Sequence, residues 1–266
     1  MLTNYHTHSV FCDGKDTPEE MALAAIEKGF DALGFSGHGY TNRDSSFCMQ
    51  DLDGYISTVR GLQSKYADKI QIYLGVEEDL IHPANRKDYD YIISSSHYVL
   101  KDGKYYSVDG SPECLQSCIA LFDGDPIQYA HAYYRPFCDY ILKRKPDIIG
   151  HFDLITKFDE LNDHMFLEDM EYTKLAAEYL QIAMQSDCIF EVNTGAIARG
   201  MRTSPYPSLA LLHIMKKNGA KVLLSSDCHD KNMLDCWFKE AKALLRDVGF
   251  RQEYVLYDGK FRSIPL

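Results

Sequence analysis

Seven short apolar stretches in this chain each run straight into a metal-competent or polar side chain, and helical stretches separate most of them. Met1-Leu2 leads to His6 and His8, residues 31–37 to His38, and 69–76 to Glu77. Residues 91–96 lead to His97, 146–150 to His151, 188–192 to Asn193, and 220–226 to Asp227 and His229. Alternating β and α elements imply a parallel sheet. Plain Val/Ile/Leu runs without clean alternation suit strands buried on both faces. If such a sheet closes, the C-terminal strand ends converge on one mouth, where the active site of a β/α barrel lies. An open doubly wound sheet would scatter the same residues along an edge. The expected fold is therefore α/β, a barrel of about seven βα units.

The intervening segments carry the matching signals. Asp16-Thr17-Pro18-Glu19-Glu20 caps an apolar-periodic run from Met21 to Lys28, which Gly29 closes. Helices are expected at about 52–66, 126–143, 167–185, 208–218 and 232–246, with a last strand at about 250–257. Loops are expected at 40–51, 152–166 and 195–207. Residues 98–125 break the rhythm, and the Lys101-Asp102-Gly103-Lys104 turn there predicts a hairpin insertion. No Pro/Ser-rich linker divides the chain, so residues 1–266 are read as one domain.

Charge narrows the partners. Lys+Arg 28 against Asp+Glu 39 gives −11, with no basic block, which argues against a long nucleic acid. A small phosphorylated substrate remains compatible, because bound divalent cations offset negative charge locally. No apolar run is long enough for a membrane span. Met1 passes into polar, histidine-bearing sequence, and the eight cysteines contain no CxxC pair, so a cytoplasmic protein with reduced thiols is expected. Oligomeric state is not legible.

The residues at the mouth set the chemistry. On a strand, residues i and i+2 share a face, so His6 and His8 point the same way. Six of the 10 histidines would meet there with Asp13, Glu77 and Asp227. Nine such ligands exceed the four to six that one ion takes, so they suit two or three metals with a bridging carboxylate. So many imidazoles favour Zn, Fe or Mn over Ca or Mg. His82, His131, His164 and His213 lie away from strand ends and read as surface or core residues, and Tyr133-Tyr134 as core. Glu78 and Asp79 are read either as groups orienting ligands or as solvated charges. The tyrosine-bearing stretch 98–110 is placed to cover the mouth and stack on an imidazole.

The set His6-x-His8, Asp13, Ser36-Gly37-His38, Gly75-Val76-Glu77, His97, Gly150-His151 and Ser226-Asp227-x-His229 resembles the PHP (polymerase and histidinol phosphatase) superfamily. Gly150-His151-Phe152-Asp153-Leu154 and the segment from Asn193-Thr194-Gly195 to Pro207 look most like its stand-alone histidinol-phosphatase branch. The resemblance implies an irregular (βα)7 barrel and three metal sites. His6, His8, Glu77 and Asp227 would hold the first metal, Glu77 with His97 and His151 the second, and Asp13, His38 and His229 the third. Glu77, Asp227 and His229 would be the catalytic residues. The implied reaction is hydrolysis of L-histidinol phosphate by a metal-bridging hydroxide, in histidine biosynthesis. Arg199 is the first candidate for gripping the phosphate, since a guanidinium binds phosphate bidentately, with Lys157 and Arg202 behind it. The alternatives are a PHP phosphoesterase acting on nucleotides or oligonucleotide ends, an amidohydrolase-like C–N hydrolase, and a metal-binding interaction module without activity.

Overall fold

The structure, a computed structural model, describes residues 1–43, 45–162 and 164–266. The loops expected at 40–51 and 152–166 therefore each include one residue outside the described set. In chain order the elements are β1 (Thr3–Asn4), α1 (Pro18–Glu27), β2 (Ala32–Phe35), α2 (Leu52–Lys65), β3 (Gln71–Asp79) and β4 (Tyr91–Ser95). Next come β5 (Tyr98–Lys101), β6 (Lys104–Ser107), α3 (Pro112–Ala120), α4 (Pro126–Arg144), β7 (Ile148–Ile149) and α5 (Met170–Met184). The chain continues with β8 (Ile189–Asn193), α6 (Gly195–Ala198), α7 (Leu209–Lys217), β9 (Lys221–Ser225), α8 (Phe238–Val248), β10 (Gln252–Tyr257) and β11 (Lys260–Pro265).

Seven strands form one parallel sheet in the order β1-β2-β3-β4-β7-β8-β9. Its two edges meet just past their strand ends, where the His8 amide donates to Cys228 O at 2.8 Å and the Cys228 amide to His6 O at 3.1 Å. That contact makes the sheet a nearly closed, irregular (βα)7 barrel.

Alternate strand positions separate two apolar layers. Ala32, Tyr73, Ile93, Ile148, Ile189 and Leu223 point into the barrel and pack with Tyr5 and Tyr91. Leu33, Phe35, Ile72, Leu74, Ile92, Ile149, Phe190 and Leu224 point out to the helices. The β10–β11 hairpin underlies the inner layer: Val255 and Leu256 join it, and the Tyr5 hydroxyl donates to Leu256 O at 2.6 Å. The floor is thus filled, and only the C-terminal mouth is left for chemistry.

The same alternation carries the inner face upward into polar residues. Above Tyr73 come Gly75 and Glu77, and above Ile189 come Glu191 and Asn193. Gly75 must lack a side chain, since a Cβ there would lie 2.2 Å from Tyr91 Cζ. The bulky Tyr91 ring closes the floor directly beneath Glu77, and its hydroxyl donates to Phe35 O at 3.2 Å.

Several boundaries differ from those expected of the sequence. β3 does not stop before Glu77; Glu77, Glu78 and Asp79 continue pairing with Ile93, Ser94 and Ser95 of β4. The stretch 98–125 holds the β5–β6 hairpin and the helix α3, which Ser111 caps by accepting from the Cys114 amide. α8 begins at Phe238 rather than near 232, because residues 231–233 form a separate 3-10 turn capped by Asp230. β11 has few apolar residues and gives no periodic signal; it forms because β10 offers it an antiparallel edge.

Candidate metal centre

Six of the seven barrel strands, or the turns that follow them, deliver one to three donor side chains to the mouth. The chain from β1 supplies His6, His8 and Asp13, β2 leads to His38, and β3 holds Glu77 in its own ladder. β4, β7 and β9 lead to His97, to His151, and to Asp227 with His229. Asp227 takes the left-handed conformation, φ 48°, a sparsely populated region that costs of order 1–3 kcal/mol for a non-glycine residue. Asp tolerates it better than most, and here it turns the carboxylate back over the mouth.

Glu77 is the hub. Its Oε1 faces His151 Nε2 at 2.9 Å and His97 Nε2 at 3.4 Å. Its Oε2 faces His38 Nδ1 at 2.9 Å, His6 Nε2 at 3.2 Å and His8 Nε2 at 3.6 Å. A second carboxylate, Asp227 Oδ1, lies 3.1 Å from His8 Nε2 and 3.7 Å from His6 Nε2. Asp13 completes the rim, 3.1 Å from His229 Nε2, 3.4 Å from His8 Nδ1 and 3.8 Å from His38 Nε2. The sequence-predicted residues thus converge, in overlapping groups whose donor atoms lie within 4.8 Å of one another.

These atoms fit divalent cations. His6 Nε2, His8 Nε2 and Glu77 Oε2 are buried and make no hydrogen bond among the described residues, although they face each other. Buried polar atoms are normally satisfied, and a cation between them supplies what a proton does not. Imidazole and carboxylate together suit Zn, Mn or Fe. The field of the imidazoles matches this. Burial alone would raise the Glu77 pKa, but His6, His38 and His97 outweigh it and hold the carboxyl well below its usual range. Asp227 is held down in the same way, against its burial, by Arg199 and His6. Both are ligands ready in their charged form.

Behind the donors stands a layer of orienting groups. Glu191, fully buried on β8, meets His6 Nδ1 at 2.6 Å, accepts from the His151 amide at 2.8 Å and from Asn193 Nδ2 at 3.0 Å, and receives the Ser225 hydroxyl. Fixing Nδ1 leaves Nε2 of His6 aimed at the metals. Asp79 does the same for His97, meeting its Nδ1 at 3.2 Å and accepting from its amide at 2.9 Å. Glu78 points the other way along β3 and braces the fold instead, pairing with Arg144 at 2.8 Å and accepting from Ser94 and Tyr140. Glu191 is absent from the residues expected of the sequence, although a lone carboxylate inside the apolar run 188–192 is itself the signal that finds it.

The donors open into a cavity of about 170 Å³, whose wall includes Lys157, Arg199 and Asp109. Arg199 donates to Asp227 Oδ2 at 3.0 Å and to Asp227 O at 3.2 Å, which ties its guanidinium to the rim. Arg202 does not reach the cavity. It is buried to the side, donating to Thr156 and Ser204 and lying over the Tyr206 ring at 4.4 Å. Among the described residues, Phe47 stands edge-on to His38 at 5.0 Å and Tyr206 edge-on to His151 at 6.2 Å. His131 meets the Tyr179 hydroxyl at 3.1 Å and His164 faces Glu168 at 3.8 Å, both away from the mouth. Tyr133 and Tyr134 are fully buried in the outer core.

A sequence family described as the PHP domain matches residues 4–195. This chain belongs to the PHP family. The match takes in the strands that carry His6 through Asn193, and the last barrel strand adds Asp227 and His229 to this PHP barrel. A Schizosaccharomyces pombe protein named "Probable histidinol-phosphatase" is 28% identical over 94% of this chain and 87% of its own length. The Bacillus subtilis histidinol-phosphatase is 24% identical over 84% of this chain and 92% of its own. Among solved structures, the histidinol phosphate phosphatase of Lactococcus lactis, complexed with zinc, L-histidinol and phosphate, superposes with a TM-score of 0.70 at 20% identity. That superposition covers 98% of each chain.

Proposed function

We propose that this PHP protein is a phosphomonoesterase that hydrolyses L-histidinol phosphate to L-histidinol and phosphate in the cytoplasm. It would use two or three divalent cations held by His6, His8, Asp13, His38, Glu77, His97, His151, Asp227 and His229. The observation that carries the reading is the two-sided Glu77, with histidines on both of its oxygens and, among the described residues, no hydrogen bond to Oε2. Bound at these groups, divalent cations supply charge neutralisation for the phosphoryl oxygens and a water of lowered pKa.

The remaining work falls to the chain itself. Arg199 uses part of its five-donor fork on Asp227 and meets His229 Nδ1 at 3.2 Å, and its remaining donors serve a phosphate oxygen. Lys157 brings a second positive charge to the same wall. Glu191 and Asp79 hold the imidazoles of His6 and His97 so that they do not need to reorient during turnover. The substrate assignment is supported by the relatives named above, which match this chain over most of both lengths, and by the L-histidinol and phosphate bound in the Lactococcus structure.

Phosphate release from a panel of esters, with Mn- or Zn-loaded protein, tests the proposal. Histidinol phosphate is expected to exceed nucleoside monophosphates and an aryl phosphate in kcat/KM, with His97→Ala abolishing release from all. A preference for nucleotides would keep the metal centre and remove the substrate. No metal-dependent release from any ester would overturn the phosphatase reading.

A further inference from the structure

Among the described residues four carboxylates line the cavity, and three of them belong to the clusters of donor atoms described above. The fourth, Asp109, stands on the short arm between β6 and α3. Its Oδ2 lies 3.2 Å from the Lys157 ammonium and its Oδ1 accepts from the Ser107 hydroxyl at 3.0 Å. A carboxylate offers about four lone-pair positions, so these two neighbours leave it with capacity to accept more. Its side chain is 28% exposed, whereas Lys157 is 13% exposed. Burial raises the Asp109 pKa, but Lys157 and His97 outweigh burial and hold it at about 2. The wall therefore carries a fixed negative charge at neutral pH.

A negative charge beside a phosphate site repels the substrate unless something offsets it. Lys157 offsets part, but Lys157 alone would attract phosphate more strongly without Asp109. The pairing is advantageous when the substrate carries a cation a few bonds from its phosphate. The arm that bears Asp109 also interrupts the βα rhythm of the barrel, and such insertions are where recognition residues concentrate on a rigid scaffold.

Resting on the function proposed above, we infer that Asp109 is a specificity residue: it accepts from the primary ammonium of an amino-alcohol phosphate whose phosphate lies against Arg199 and the metals. The bland alternative is that Asp109 only holds Lys157 in place.

The two separate in the ratio of kcat/KM between a cationic ester and its neutral counterpart, measured on metal-loaded full-length protein. The pairs are histidinol phosphate with its N-acetyl derivative, and 2-aminoethyl phosphate with ethyl phosphate. Wild type is expected to favour the cationic member, and Asp109→Asn is expected to reduce that ratio about 10- to 100-fold, the effect of losing one charged hydrogen bond. If Asp109 only orients Lys157, both members fall together and the ratio stays, which overturns the inference. The wild-type ratios need no variant, so the absence of any cationic preference also overturns it. If histidinol phosphate is ignored while 2-aminoethyl phosphate is preferred over ethyl phosphate, and Asp109→Asn removes that preference, the substrate reading fails and the role of Asp109 stands.

Discussion

Glu77→Ala is expected to lower kcat/KM for phosphomonoester hydrolysis roughly 1,000-fold or more, and to reduce bound metal. Metal stabilisation of phosphoryl charge contributes several kcal/mol, and each 1.36 kcal/mol is about tenfold in rate. One side chain has this leverage because both Glu77 oxygens serve: Oε1 faces His97 and His151, and Oε2 faces His6, His8 and His38. Alanine leaves five buried or half-buried imidazoles without the anion they surround. Glu77→Gln keeps the shape and loses the charge, so it is expected to behave like alanine in metal content. Activity within tenfold of wild type, with full metal content, would show that Glu77 is only a counter-charge.

Stripping the metals with a chelator is expected to lower Tm by roughly 8–16 °C near neutral pH. A cation at 1,000 times its Kd stabilises the folded state by about 4 kcal/mol, and a chain of this size shifts by about 2–4 °C per kcal/mol. The stripped protein should also respond to pH in a defined direction. Burial would lower the His6 pKa, but Glu191, Glu77 and Asp227 outweigh it and hold the imidazole well above its ordinary 6.5. His97 is raised against its burial by Glu77 and Asp79. A raised folded pKa contributes stability that is fully present below 6.5 and is lost as pH rises through the folded value. Glu77 and Asp227 are depressed, so their contribution is present above their ordinary 4.5 and 3.8 and is lost as pH falls through the folded values. His8 is lowered, by burial and by the neighbouring His229 and His38, so its contribution is lost as pH falls below 6.5. The stripped protein is therefore expected to be most stable near pH 6.5. Metal binding requires deprotonated imidazoles, so the gap between loaded and stripped Tm widens above pH 6.5. Equal melting curves with and without chelator across that range would contradict this.

Much of the barrel is legible in the sequence because its strands are buried on both faces. Runs such as 91–96 and 220–226 contain little but apolar and small residues, and each ends where the polar mouth begins. The donors are legible for the same reason: an imidazole at the end of an apolar strand has few places to go but the mouth. What sequence hides is whatever depends on a partner strand. Glu77 through Asp79 read as the end of a strand, yet they stay in the ladder because β4 pairs with them up to Ser95. Arg202 and Arg199 look alike in a loop, and only packing separates the one over Tyr206 from the one at the cavity. Asp109 lies in the stretch 98–110 that its tyrosines place over the mouth, but the segment has no periodicity that singles out its carboxylate. α3 leaves one trace, the helical spacing of Cys114 and Cys118.

The most direct test of the clustered centre is an anomalous difference map from crystals of the zinc- or manganese-loaded protein. Two or three peaks are expected among these nine side chains, neighbouring peaks about 3.5–4 Å apart, with one Glu77 oxygen on each of two ions. A single peak, or peaks that leave Glu77 bound on one side only, would contradict the clustered centre on which the proposed hydrolysis depends.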